Sequence, residues 1–224
     1  MAKRRLRAAA APASGQPAAG WPWGALAVAA GLVVLVVLVG LGLSAATSQR
    51  PASGALSNCV APPELSPRVY ASAPAMCIDA KKTYQATITT TKGDLVVQLF
   101  PDQAPKSVNA FTVLALNGYY NGLSWFKVQD WVVQTGDPTG SGRFSPGFTL
   151  PGEVGKNTWE PGSLGFAHQG DSVNGGQFFV TKAAWPGGDP TQPYNHFGTV
   201  VVGVDLLGQL TPDDRVIRVV VRQV

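Results

Sequence analysis

From residue 21 to residue 46 the chain carries no charge, and positions 24–43 read GALAVAAGLVVLVVLVGLGL. About twenty apolar residues rising ~1.5 Å each are long enough to cross a hydrocarbon core of about 30 Å. The stretch has no polar face, so it cannot lie half-buried on a water-soluble domain. It predicts a transmembrane helix over 21–46, with Trp21 and Trp23 at its interfacial edge. Lys3, Arg4, Arg5 and Arg7 stand just before it. The positive-inside rule then places residues 1–20, basic and disordered, in the cytoplasm, and everything after Ala46 on the far side of the cell membrane. A cleaved signal peptide ending at Ser44-Ala45-Ala46 is the competing reading, but its apolar core is only about 7–15 residues, shorter than the run here. The lipid bilayer is the first expected partner, through residues 21–46.

The remainder of the chain is built differently. Among 224 residues, 17 Lys and Arg face 13 Asp and Glu, and the basic residues named above account for the whole excess. A formally neutral remainder lacks the basic field that nucleic-acid binding needs. Charged residues make up 13%, hydrophobic ones 45%, and Gly (26) and Pro (18) are abundant. Such a chain has side chains enough for a core and many turns, hence short elements. Residues 47–82 read as an extracytoplasmic stalk, flexible at first and ordered toward its end, and 83–224 as one globular domain. Cys59 and Cys77 would close a loop of about 18 residues, worth about 3 kcal/mol as a disulfide in an oxidising compartment. Two buried thiols are the alternative. With His168 and His196 far from the cysteines and from each other, no metal site is expected.

Within the domain, residues 84–90 (YQATITT) alternate as a strand does, residues 92–94 (KGD) turn, and 95–100 (LVVQLF) form a second strand. Val108, Phe111, Val113, Leu114 and Leu116 share one helical face, with Pro105 near the start and Gly118 past the end. Strands are predicted over 128–134, 163–167, 177–181, 198–202 and 216–221, with a short helix over 204–210. Many short strands with one or two helices suggest a closed barrel plugged by helices.

Five segments then follow one another: KGDLVVQLFPDQAPKSVNAF (92–111), GYYNGLSWF (118–126), VVQTGDPTGSG (132–142), LGFAHQGDSVNGGQFFVT (164–181) and HFGTVVVGVDLL (196–207). In this order they resemble the cyclophilins, the family of peptidyl-prolyl cis–trans isomerases, with NGGQFF (174–179) the most specific match. The resemblance implies a mainly β fold: a closed eight-stranded antiparallel barrel with two capping helices, here preceded by the transmembrane helix, in a membrane-anchored bacterial form. It implies an isomerase, or rotamase, that assists the folding of exported proteins by acting on their proline-containing segments, expected as a monomer.

Rotation about a peptide bond faces a barrier of ~18–20 kcal/mol, and X–Pro exchange takes tens of seconds or more. No bond is broken, so no nucleophile, metal or cofactor is required. The site must hold proline, grip the flanking backbone and favour the twisted amide, whose prolyl nitrogen gains a lone pair that a fixed cationic donor stabilises. The family uses an arginine there. With a one-residue deletion before Trp131, Lys127 takes that position; without it, Phe126 falls there. Lysine keeps the charge and loses the planar fork. The resemblance makes Gln134 and Gln177 the glutamines of the site, Gln134 binding substrate backbone. Trp131, Val132 and Phe179 line the proline pocket. Ala167 and His168 stand where substrate is bound largely through main chain, and Trp185 and Tyr194 lie on the rim beside the loop 186–193. The alternative reading is a proline-segment binding module or chaperone with little turnover, since the arginine is replaced.

Overall fold

The computed structural model describes residues 56–153, 155, 158–186 and 193–224. The expected membrane helix over 21–46 and the basic segment before it lie outside the described residues, as does residues 47–55 of the expected stalk. Among the described residues no helix is long and apolar enough to cross a membrane.

A small hairpin comes first, β1 (Glu64–Ser66) with β2 (Val69–Tyr70). The alternation over 84–90 becomes β3 (Tyr84–Thr90), with Tyr84, Ala86, Ile88 and Thr90 turned inward. It pairs antiparallel with β4 (Gly93–Leu99), which buries Leu95, Val97 and Leu99. Helix α1 (Pro105–Leu116) opens with a proline, whose missing N–H is no loss in the first turn. Its own residues supply no side-chain cap. Glu153, far along the chain, does so instead: its carboxylate accepts the Lys106 and Ser107 N–H groups at 2.8 and 2.9 Å.

The strands β5 (Lys127–Val128), β6 (Val132–Thr135), β7 (Thr149–Leu150), β8 (Ser163–Gln169), β9 (Ser172–Thr181), β10 (His196–Val202) and β11 (Val216–Gln223) follow, with a 3₁₀ helix, Val204–Gln209, before the last. The nine-stranded sheet runs β11-β3-β4-β10-β8-β9-β6-β5, with β7 attached to β9. It is antiparallel and curled, with α1 packed against β9, β10 and β11. Phe111, Tyr120, Trp125, Phe166, Phe178 and Phe197 fill the interior, Phe178 meeting Phe111 edge-on at 5.5 Å.

Several expectations need correction. The barrel is not the expected closed eight-stranded one. Among the described residues β5 and β11 form no ladder; the chain just before each meets in an isolated bridge, Ser124 to Arg215. The physical reason is that the other edge is met only at 122–125, where the Gly122 and Trp125 N–H groups donate to the Val216 and Asp214 carbonyls at 2.7 and 3.2 Å, and β5 beyond it folds back after two residues, the Gln129 N–H donating to the Val132 carbonyl at 2.9 Å. The same turn splits the strand expected over 128–134 into β5 and β6. Of the two expected capping helices, the second is a 3₁₀ turn rather than an α-helix.

The later part of the expected stalk is folded onto the domain. Leu56, Cys59, Tyr70 and Ile78 join the main hydrophobic cluster. Cys59 and Cys77 form a disulfide. Asn109, buried on α1, accepts the Cys77 N–H at 2.8 Å and donates to the Ala75 carbonyl at 2.9 Å.

Candidate functional site

The site is a row across the sheet. Lys127 on β5 stands opposite Gln134 on β6, Gln134 opposite Phe179 on β9, Phe179 opposite Gly165 on β8, and Gly165 opposite His196 on β10. Partners in register present side chains to the same face, so the ladder itself aligns a cation, an amide and an aromatic ring. Two residues along β6 from Gln134, Val132 lies on that face too and forms the buried floor with Ala167 and Phe179.

Gly165 leaves a gap in the row, and Trp159 fills it. The Trp159 ring stacks on Phe179 at 5.4 Å and on His196 at 4.4 Å. A β-carbon on Gly165 would fall 2.5 Å from Phe179 Cζ and 2.6 Å from Trp159 Cη2. Trp185 lies 4.8 Å from Trp131 and 5.4 Å from Trp159, and Tyr194 meets Phe179 edge-on at 5.2 Å. The result is a groove of about 350 Å³, apolar at its floor and aromatic at its rim, with Lys127 and Gln134 on one side.

A hydrogen-bond chain sets the amides. Gln177, buried, donates Nε2 to the Phe144 carbonyl at 2.8 Å. That carbonyl only accepts, so the Gln177 Oε1 must face the other way, where it takes Gln134 Nε2 at 3.0 Å. Asn174 Nδ2 also donates to the Phe144 carbonyl at 2.8 Å. The loop carrying Phe144 is wound around Asp137, whose carboxylate accepts the Thr139 N–H and hydroxyl, both at 2.7 Å, and the Phe144 N–H at 3.3 Å. Burial pushes the Asp137 carboxyl up, but these bonds outweigh it and hold the group below the usual carboxylate value.

Of the residues expected at the site, Lys127, Trp131, Val132, Gln134, Ala167, His168, Phe179, Trp185 and Tyr194 all line this groove. Gln177 stands behind it, joined through Gln134. His168 meets Tyr194 edge-on at 4.8 Å. Phe126, the other candidate for the arginine position, also lines the groove but faces the turn at Gly140 and Gly142. Trp159 was not foreseen. Its only sequence signal is its partner: a glycine in the middle of the strand-like run at 163–167 marks a place where something else approaches the backbone closely.

A family model described as cyclophilin type peptidyl-prolyl cis-trans isomerase/CLD matches residues 85–221. The chain belongs to the cyclophilin family. A peptidyl-prolyl cis-trans isomerase of Helicobacter pylori is 41% identical over 102 residues, 44% of this chain and 63% of that one. The peptidyl-prolyl cis-trans isomerase-like 2 of Rhizopus delemar is 39% identical over 137 residues, 58% of this chain and 25% of that one. The chain therefore spans less than two thirds of these relatives. A crystal structure of a Cryptosporidium parvum cyclophilin superposes with a TM-score of 0.57 at 27% identity, covering 62% of this chain and 98% of that one. A structure of that protein in the presence of the dipeptide Ala-Pro gives 0.56. The match to the family model begins at residue 85, and the disulfide-bonded segment before β3 lies outside it.

Proposed function

We propose that the groove catalyses cis–trans isomerisation of X–Pro bonds, with Lys127 supplying the cation that the family takes from arginine. The carrying observation is the register that sets Lys127 beside Gln134 and Gln134 beside Phe179. Proline enters the pocket over Val132, Ala167 and Phe179. The electron-rich faces of Trp131, Trp185 and Tyr194 close around the ring and the residue next to it. Gln134, its Nε2 taken by Gln177, offers its Oε1 to a backbone N–H of the bound peptide. As the amide twists, resonance is lost and a lone pair grows on the prolyl nitrogen. The Lys127 ammonium donates to it. It favours the twisted state over both planar ones, which is the condition for acceleration rather than mere binding. No proton has to be transferred, so His168 serves as part of the wall beside Tyr194.

The same reading extends to place and clients. The uncharged run over 21–46 anchors the domain to a bacterial cell membrane, and the isomerase faces the extracytoplasmic side, acting as a monomer on proline-containing segments of exported polypeptides. The Cys59–Cys77 disulfide supports that side, since such bonds persist in oxidising compartments.

The test is a substitution series at Lys127. Lys127→Ala lowers kcat for an Ala-Pro peptide about a hundredfold with KM little changed, the size expected for loss of a preorganised donor. Lys127→Arg restores the fork and raises kcat. Equal activity in all three proteins would remove Lys127 from the reaction. Turnover in the arginine variant alone would make the natural protein a proline-segment binding module.

A further inference from the structure

Residues 56–83 precede the stretch that matches the family model, yet they reach the site through the loop at 144–147 and through Tyr119. The Tyr70 N–H donates to the Pro146 carbonyl at 2.8 Å. Tyr70 is buried, its ring 6.3 Å from Tyr119. Gly147, at φ +92°, brings the loop so close that a β-carbon there would lie 2.3 Å from the Tyr70 carbonyl oxygen. Two residues before Pro146 is the Phe144 carbonyl that accepts Gln177 and Asn174. Asn174 Oδ1 accepts the Gly176 and Gln177 N–H groups in turn, at 2.9 and 3.0 Å. Tyr119, the ring neighbour of Tyr70, donates its hydroxyl to the Gly136 carbonyl at 2.9 Å, next to the end of β6. Both strands that carry the site amides are therefore braced from behind by this segment. The disulfide joins the beginning of the segment to its later part, and Asn109 holds that later part to α1.

We propose that residues 56–83 are a disulfide-closed strap that orients the Gln134 and Gln177 amides, with Tyr70 as a positioning residue, so that the competence of the groove depends on the Cys59–Cys77 bond. The chain of cause runs from the bond to the hairpin of β1 and β2, to the loop at 144–147, to the Phe144 carbonyl, and so to Gln177. With the strap loosened the carbonyl moves away, the Gln177 amide is free to rotate, and Gln134 loses the partner that decides which of its polar atoms meets a ligand. The activity arm of this inference rests on the isomerase reading; the orientation arm does not.

The experiment uses the full chain in detergent, with ¹⁵N in the glutamine side chains, before and after reduction. Dithiothreitol supplies two electrons and two protons, giving two cysteine thiols and cyclic oxidised dithiothreitol. In the reduced protein the Gln134 and Gln177 side-chain signals shift, and their protons exchange with solvent about tenfold faster. At the same time kcat/KM for an Ala-Pro peptide falls about fivefold, mainly through KM, because a gripping contact is lost. The Cys59→Ser, Cys77→Ser protein reproduces the reduced state and ignores dithiothreitol. Gly147→Ala, which forces loop and strap apart, does the same with the bond intact, and decides the matter if the double variant does not fold. Side-chain signals that stay in place in both the reduced protein and the Gly147→Ala protein overturn the proposal. Signals that move in a protein that never accelerates exchange keep the strap and reject the isomerase reading alone.

Discussion

A β-carbon on Gly165 has nowhere to go, since Phe179 and Trp159 already occupy its space at 2.5 and 2.6 Å. Gly165→Ala must push both rings toward the groove, an overpacking cost of about 1–3 kcal/mol. The expected result is a peptide Kd raised about tenfold, read by titration, while the thermal midpoint falls by only a few degrees. An unchanged Kd would show that neither ring shapes the pocket. Asp137 acts on the other side. Burial raises its pKa, the bonds from Thr139, Phe144 and Gly142 lower it more, and the net value lies below the ordinary 3.8. A carboxyl depressed in the folded state contributes stability that is present above its unfolded pKa and lost as pH falls through the folded one. Asp214 behaves alike, the Thr91 hydroxyl lowering it most and burial opposing. Asp137→Asn therefore lowers the urea midpoint at pH 7 and flattens its decline below about pH 4. A variant with the same acid profile as the natural protein would refute this role.

At the scale of elements, the strap and helix α1 meet at Asn109, which receives the Cys77 and Ile78 N–H groups and donates to Ala75 and Pro74 carbonyls. Asn109→Ala leaves the buried Ile78 N–H and the half-buried Cys77 N–H without partners and costs about 2–4 kcal/mol. For a domain of this size that is a fall of about 5–10 °C in Tm, checked by calorimetry; a shift under a degree would show the contact to be dispensable. Such contacts also mark how far the sequence can be read. Strand β3 was legible because its inward residues alternate, and α1 because its apolar residues fall on one face between Pro105 and Gly118. The N-terminal cap of α1 was not, because Glu153 lies 47 residues from Lys106 and no local pattern records it. Strands β1, β2 and β7 are too short for any period to show. The run 128–134 looked continuous because the turn at Gln129 carries neither glycine nor proline.

For the whole molecule, the ordered family motifs made the antiparallel sheet and most of the groove legible, since Gln134, Gln177 and Phe179 lie within them. Closure was not legible, because it depends on how few residues around 122–125 lie against β11 before the chain enters β5. Nor was the strap: residues 56–82 have the Ala, Pro and Ser of a linker, and only the cysteine pair hints that they fold. The central claim is that this cyclophilin domain turns over with lysine in place of arginine. Exchange spectroscopy on an Ala-Pro peptide with a small amount of the natural protein tests it most directly. The account predicts exchange cross-peaks that grow with protein concentration, against an uncatalysed process of tens to hundreds of seconds. A peptide that binds the groove yet exchanges at the uncatalysed rate would contradict it.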